Sequence, residues 1–396
     1  MTGVAAQVCR WPAVLRAACV AGLSVLTSVG AAVAEPAADP PDYALSEEVG
    51  LIPASGGGVA DLEVTLFRPR GPGPFPLAVL NHGRSPSPAQ VQPRFRPLHV
   101  AYEFVRRGYA VVVPMRQGFA RSGGRDQAGD CDVVADARHQ ARSIRHAVDW
   151  AARQPWADAT RSVVIGQSHG GLAALAYAEN PHPGTQLVVN FAGGVRKPAC
   201  ADWEASLVDA IAELGLGARL PSLWFYGDND SHFAPRVWRA AHQRHVSNGG
   251  RALLAAFGTF GDDAHRLFGA RDGVRVWMPP LLEQLAAAGL PTRIDARHDP
   301  LPDVAVGPPL RKVDAGEANQ LPIRGRSARE GFIAWLGSQG PRAFVISSDL
   351  RHWASAWGSL RPVQRALERC ERLSGARCRV YAVDDDVVWP GDSGLH

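Results

Sequence analysis

The chain has 396 residues, 46% of them hydrophobic and 20% charged, with a net charge of +4. That balance is ordinary for a globular protein and excludes a disordered or collagen-like chain. Its 42 basic and 38 acidic side chains are scattered, with no Lys/Arg run to mark a nucleic-acid partner. At roughly 150 residues per domain, the length predicts two domains, or one large domain and a small one.

Arg10 and Arg16 precede an uncharged stretch, 17–34, rich in Ala, Val and Leu and closed by Ala32-Val33-Ala34. A basic region, an apolar run and an A-x-A site predict a secretory signal over 1–34, cut after Ala34. An uncleaved membrane anchor is the competing reading, because the run is nearly long enough to span. Cleavage would leave four cysteines: Cys131, Cys200, Cys370 and Cys378. An oxidising compartment favours disulfides, and Cys370 with Cys378 are close enough in sequence to pair. Reduced, buried thiols are the alternative.

After a Pro-rich leader (35–41), strand and helix signals alternate. "DLEVTLFRPR" (61–70) alternates apolar and polar residues; "LAVLNHG" (77–83) and "YAVVVPM" (109–115) are short apolar runs, so buried strands. "HVAYEFVRRG" (99–108) between them has helical spacing and a Gly stop. Val134, Ala137, Ala141, Ile144 and Val148 step by 3, 4, 3, 4 along one helical face, with Asp130 and Asp132 just before it. Strands then follow at 161–167, 186–194, 221–230 and 251–257, with helices at 170–180, 202–214, 235–247 and 275–289. Such alternation predicts a mostly parallel sheet flanked by helices. The periodicity fails over 297–326, which is rich in Pro and Gly and reads as a linker. Beyond it, 327–396 reads as a small α+β domain, with a helix at 329–337, a strand at 342–348, a helix at 361–373 and a strand or hairpin at 378–389. The expected division is therefore signal 1–34, catalytic domain 35–296, linker 297–326 and C-terminal domain 327–396.

Gly166-Gln167-Ser168-His169-Gly170 fits G-x-S-x-G. A strand feeds it and a helix leaves it, which is the setting of a nucleophile elbow; a capping serine is the competing reading. A nucleophilic serine needs a base, and the base an orienting acid, in the order Ser, acid, His. Asp230, at the end of "LWFYGDND", is the preferred acid and Asp228 its rival. His265, in the loop after the next strand, is the preferred base, with Asp263 a weaker supporting acid. The oxyanion hole is expected from the backbone N–H groups of His169 and Arg84, with Gly83 allowing a sharp exit from its strand. His82 reads as a structural histidine that holds this loop, and the His169 ring as a pocket wall. Arg84, Arg116 and Arg121 read as solvated loop charges, with contacts to an anionic substrate as the alternative.

With "NHG" (81–83), "GFARSGG" (118–124), "QPWADATRSVVIGQSHGG" (154–171), "LWFYGDND" (223–230) and "DDAHRLF" (262–268), the chain resembles the α/β-hydrolase superfamily, most of all its dienelactone hydrolase and serine esterase/peptidase branches. Dienelactone hydrolases proper use a cysteine nucleophile, whereas position 168 is serine. The resemblance implies an α/β-hydrolase fold and a Ser168–His265–Asp230 triad. It places Cys131 and Cys200 in loops at the carboxyl edge of the sheet, where they would pair. It also implies that no large cap covers the site, only loops such as 116–130. The C-terminal domain is loosely similar to small modules appended to exported bacterial proteins.

The expectation is an exported serine hydrolase, periplasmic or secreted, that cleaves a carboxylic ester or related acyl bond of a small-molecule substrate. No metal or organic cofactor is expected, since no H-E-x-x-H, paired C-x-x-C or phosphate loop is present. A serine peptidase with the same triad and a catalytically silent envelope binding protein are the alternatives. The purpose of 327–396, and any protein partner of it, stay open.

Overall fold

A computed structural model describes residues 45–390, apart from 55–57, 127–130, 300–302, 315 and 339. The expected signal (1–34) and Asp130 lie outside the described residues. The main sheet contains β1 (Glu48–Ile52), β2 (Leu62–Phe67), β3 (Phe75–Asn81), β4 (Ala110–Pro114), β5 (Ala157–Gln167), β6 (Thr185–Phe191), β7 (Ser222–Tyr226) and β8 (Ala252–Ala256). Their order across the sheet is β1-β2-β4-β3-β5-β6-β7-β8. β2 pairs antiparallel with both β1 and β4. All later pairs are parallel.

Why the parallel strands read as unbroken apolar runs is visible in the packing. Leu77 and Val79 of β3 face one core with Ala110, Val112 and Val164, while Ala78 and Leu80 face another with Val111, Val113 and Ile165. The first core is covered by α2 (Val133–Ala151), α3 (His169–Tyr177), α4 (Trp203–Gly217) and α5 (Pro235–Ser247). The second is covered by α1 (Leu98–Val105) and α6 (Val274–Ala287). Asp132 caps α2, its carboxylate accepting the Ala135 N–H at 2.9 Å. This is the mostly parallel sheet flanked by helices that the alternation predicted, in keeping with the fold that the resemblance implied. One strand, β1, lies in a stretch that carried no assignment.

A second sheet follows, built from β9 (Arg311–Lys312), β10 (Arg342–Ser347), β11 (Trp353–Trp357), β12 (Cys378–Val383) and β13 (Asp386–Val387). Its order is β11-β10-β12-β13-β9, all antiparallel. α7 (Arg326–Leu336) packs Phe332 and Trp335 against Phe344 and Ile346 on one face. α8 (Pro362–Ser374) packs Val363, Ala366 and Cys370 against Ala343 and Val345 on the other. β9 lies within the stretch read as a linker. Two exposed cationic residues paired to β13 through the backbone leave no apolar pattern to read.

Both expected disulfides are present. Cys131 and Cys200 have Cα atoms 5.7 Å apart, and Cys370 and Cys378 6.2 Å apart. Leu360 packs into the α1/α6 core, the Arg96 guanidinium donates to the Gly358 carbonyl at 2.9 Å, and Arg266 pairs with Asp385 at 2.9 Å. The second sheet thus rests on the layers of the main sheet, beside the segment that carries His265.

Candidate active site

Ser168 sits between the end of β5 and the start of α3 with φ 57° and ψ −124°. A non-glycine residue in this region carries on the order of 1–3 kcal/mol of strain, and such strain is held where the surroundings fix it. Here the Ser168 N–H donates to the Phe191 carbonyl at 2.8 Å, and the Ser168 carbonyl accepts from Gly171, Leu172 and Gly194. Close approach sets the flanking residues. A Cβ on Gly166 would lie 2.0 Å from the Gly170 carbonyl oxygen, and one on Gly170 would lie 2.4 Å from the Asn81 and His82 oxygens. The Ser168 hydroxyl has no hydrogen-bond partner among the described residues, and the residue keeps 8% exposure.

Asp230 follows β7, and its side chain is fully buried. One carboxylate oxygen accepts the N–H groups of His232 (2.7 Å) and Phe233 (2.9 Å). The other lies 3.0 Å from Nδ1 of His265. A carboxylate can only accept, so Nδ1 carries the proton and Nε2 keeps its lone pair. Asp228 pairs instead with Arg239 at the surface. Asp263 accepts the N–H groups of Ser231 and His265, so it shapes the turn and leaves the ring to Asp230. Gln167, the neighbour of Ser168, donates to the His265 carbonyl at 3.4 Å and so ties the elbow to the His265 turn.

His232 stacks on His265 with centroids 4.0 Å apart and an interplanar angle of 17°. Donor atoms of Asp230, His232 and His265 lie within 4.8 Å of one another, so among the described residues these three could share a cation. Stacked rings, however, run their in-plane lone pairs side by side rather than toward one point. The arrangement suits a hydrogen-bonded pair better than a metal centre.

The residues expected to supply the oxyanion donors, Arg84 and His169, lie where the elbow meets the loop after β3. A Cβ on Gly83 would fall 2.6 Å from the Gln167 amide oxygen and 3.1 Å from the Ser168 Cβ. Gly83 does not adopt a positive φ. Close contact with the elbow, not a sharp turn, is what the glycine allows, which corrects the expectation. Among the described residues, neither the Arg84 nor the His169 N–H has a hydrogen-bond partner. His169 opens α3, where the first N–H groups have no partner inside the helix.

Two further expectations are corrected. The His169 ring is buried in a polar network, not a pocket wall: its Nε2 lies 3.3 Å from Asp136, whose other oxygen lies 3.2 Å from the Lys197 ammonium. Arg116 is fully buried, so it is neither a solvated charge nor an open contact for substrate. Of the other two arginines, Arg84 pairs with Asp126 and Arg121 is exposed. Buried acids and bases recruited from α2 and two loops have no local signature. The trace that existed was polar Asp136, Gln140 and Ser143 on the inward face of α2.

Burial alone would raise the Asp136 carboxyl, but the hydrogen bond from His169 and the Lys197 ammonium bring it down to about 2. A carboxyl lowered on folding stabilises the protein above its unfolded value, near 4, and loses that contribution as pH falls toward the folded one. Asp136→Asn is therefore expected to cost about 3–5 kcal/mol at neutral pH, because Lys197 loses its buried carboxylate. Urea denaturation at pH 7 measures this. The gap from wild type should narrow as pH falls from about 4 toward 2.

Residues 57–206 match the family model of X-Pro dipeptidyl-peptidases (S15 family). None of the curated proteins is a significant match. Among solved structures, a putative dienelactone hydrolase from Klebsiella pneumoniae is similar at 19% identity and a TM-score of 0.43, covering 61% of this chain and 98% of its own. An esterase from Pyrococcus furiosus is similar at 15% identity and a TM-score of 0.45, covering 63% and 97%. A puromycin-hydrolyzing peptidase from Mycobacterium tuberculosis is similar at 14% identity and a TM-score of 0.44; the match covers 62% of this chain but only 39% of that one. The segment that matches the S15 family model runs from the loop before β2 to the start of α4 and so contains the strained Ser168 elbow.

Proposed function

We propose that the chain hydrolyses carboxylic esters through Ser168, His265 and Asp230. The observation that carries this reading is the Asp230–His265 pair, whose 3.0 Å contact leaves Nε2 free as a base, tied through Gln167 to the strained elbow. In the proposed cycle His265 takes the Ser168 proton and Ser168 attacks the acyl carbon. The Arg84 and His169 N–H groups hold the oxyanion. The protonated His265 then gives its proton to the leaving oxygen. Water, activated by the same base, attacks the acyl-enzyme, and collapse returns Ser168 and the free acid.

An ester asks the least of this machinery, because an alkoxide leaves more readily than an amine. The match to the X-Pro dipeptidyl-peptidase family favours a second reading, peptide hydrolysis by the same residues. A panel of p-nitrophenyl esters and aminoacyl p-nitroanilides, including X-Pro substrates, separates the two. The ester reading expects higher kcat/KM on the esters, with Ser168→Ala silent on both classes. Preferential cleavage of X-Pro anilides would replace it with the peptidase reading.

We also infer export. What supports it is the signal-like N-terminal sequence together with two disulfides, which persist in oxidising compartments. Among the described residues, no helix is long and apolar enough to cross a membrane.

A further inference from the structure

We propose that Arg116 is the positioning residue of the oxyanion hole, tying together the two segments that carry its proposed N–H donors, Arg84 and His169. This rests on the reading of Ser168 as nucleophile. Arg116 lies just past the end of β4, and it is fully buried although it carries a charge. Its main-chain N–H donates to Nε2 of His82 at 3.0 Å. Its guanidinium donates to the His82 carbonyl through Nη1, to Nδ1 of His169 at 3.4 Å through Nη2, and to Gln140 at 3.0 Å through Nε. One side chain therefore joins the loop after β3, the elbow and α2.

The ties to His82 and His169 each reach a proposed oxyanion donor, and the tie to Gln140 holds the guanidinium against α2. Because Nε2 of His82 accepts from Arg116, the His82 proton is on Nδ1, where it donates to the Gly83 carbonyl at 2.7 Å. Gln92 donates to the same carbonyl at 3.2 Å. The Gly83 carbonyl and the Arg84 N–H belong to one planar peptide. Fixing the carbonyl therefore fixes the direction of the N–H. On the elbow, the His169 ring is held at both nitrogens, by Arg116 at Nδ1 and by Asp136 at Nε2. That anchors the residue whose own N–H is the second donor. A misplacement of about 1 Å in such a site can lower the rate by about 10²-fold.

The test compares wild type, Ser168→Ala and Arg116→Lys on p-nitrophenyl acetate, with each rate normalised to the folded fraction. Lysine keeps the charge, but its single nitrogen cannot span the separate positions that Nε, Nη1 and Nη2 of Arg116 occupy against Gln140, His82 and His169. The proposal expects kcat to fall on the order of 10²-fold with KM within about three-fold, and affinity for a trifluoromethyl ketone, which forms an oxyanion on Ser168, to fall by a similar factor. An arginine that only supports the fold would lower the melting temperature and leave the normalised kcat and ketone affinity unchanged, which overturns the proposal. If Arg116→Lys does not fold, Gln140→Met removes one tie at similar volume. A kcat lower by roughly five- to ten-fold at constant KM then supports the proposal, and an unchanged kcat overturns it. Wild type no more active than Ser168→Ala would overturn the nucleophile reading, and this proposal with it. Ser168-dependent wild type with an unaffected Arg116→Lys would overturn this proposal alone.

Discussion

Replacement of Ser168 by alanine is expected to lower kcat on an activated ester by about 10⁴- to 10⁶-fold while leaving the fold intact. The size of the effect follows from the mechanism. Without the hydroxyl no acyl-enzyme forms, and only uncatalysed attack by water on a bound, polarised ester remains. Alanine meets the positive φ at much the same cost as serine, so the elbow geometry should survive through the backbone bonds, donated to the Phe191 carbonyl and accepted from Gly171 and Gly194. His265→Ala should lose a comparable factor, because the nucleophile and its base act as one unit and their losses do not add. The double variant should therefore be scarcely worse than either single one. Steady-state rates, with folding checked by circular dichroism, measure all three.

Asp230→Asn is expected to lower kcat by about 10⁴-fold with little change in structure. The asparagine oxygen can still accept the His232 and Phe233 N–H groups, which lie 2.7 and 2.9 Å from Asp230 Oδ1. Its NH₂ group then meets Nδ1 of His265, where two donors cannot face each other. The ring must give up the Nδ1 proton and carry it on Nε2, where the base is needed. Asp228→Asn serves as the control. Asp228 pairs with Arg239 at the surface, so its loss should leave kcat within about two-fold.

The elbow around Ser168 was legible because its constraint is local. A G-x-S-x-G between an apolar run and a helix forces small residues where β5 and α3 nearly touch, and the Gly166–Gly170 contact is that constraint. Asp230 and His265 were legible from chain order, since each follows a later strand of one sheet. The two disulfides needed different arguments: proximity in sequence for Cys370–Cys378, and the position of two loops at one sheet edge for Cys131–Cys200. What stayed hidden was non-local. Arg116 ends an apolar run like any polar loop residue, and its partners His82, Gln140 and His169 are spread over three other segments. β1 is exposed over four of its five residues and pairs at the sheet margin, so burial left no pattern in its sequence. His232 stacks on His265 across two turns that only the folded sheet brings together.

The account turns on Ser168 being an activated nucleophile. The most direct test is to treat the purified protein with a fluorophosphonate and read the adduct by intact mass and peptide mapping. The predicted result is one adduct per chain, on Ser168, and none in His265→Ala. A folded sample that takes up no label, or takes it up at another residue, would contradict the account.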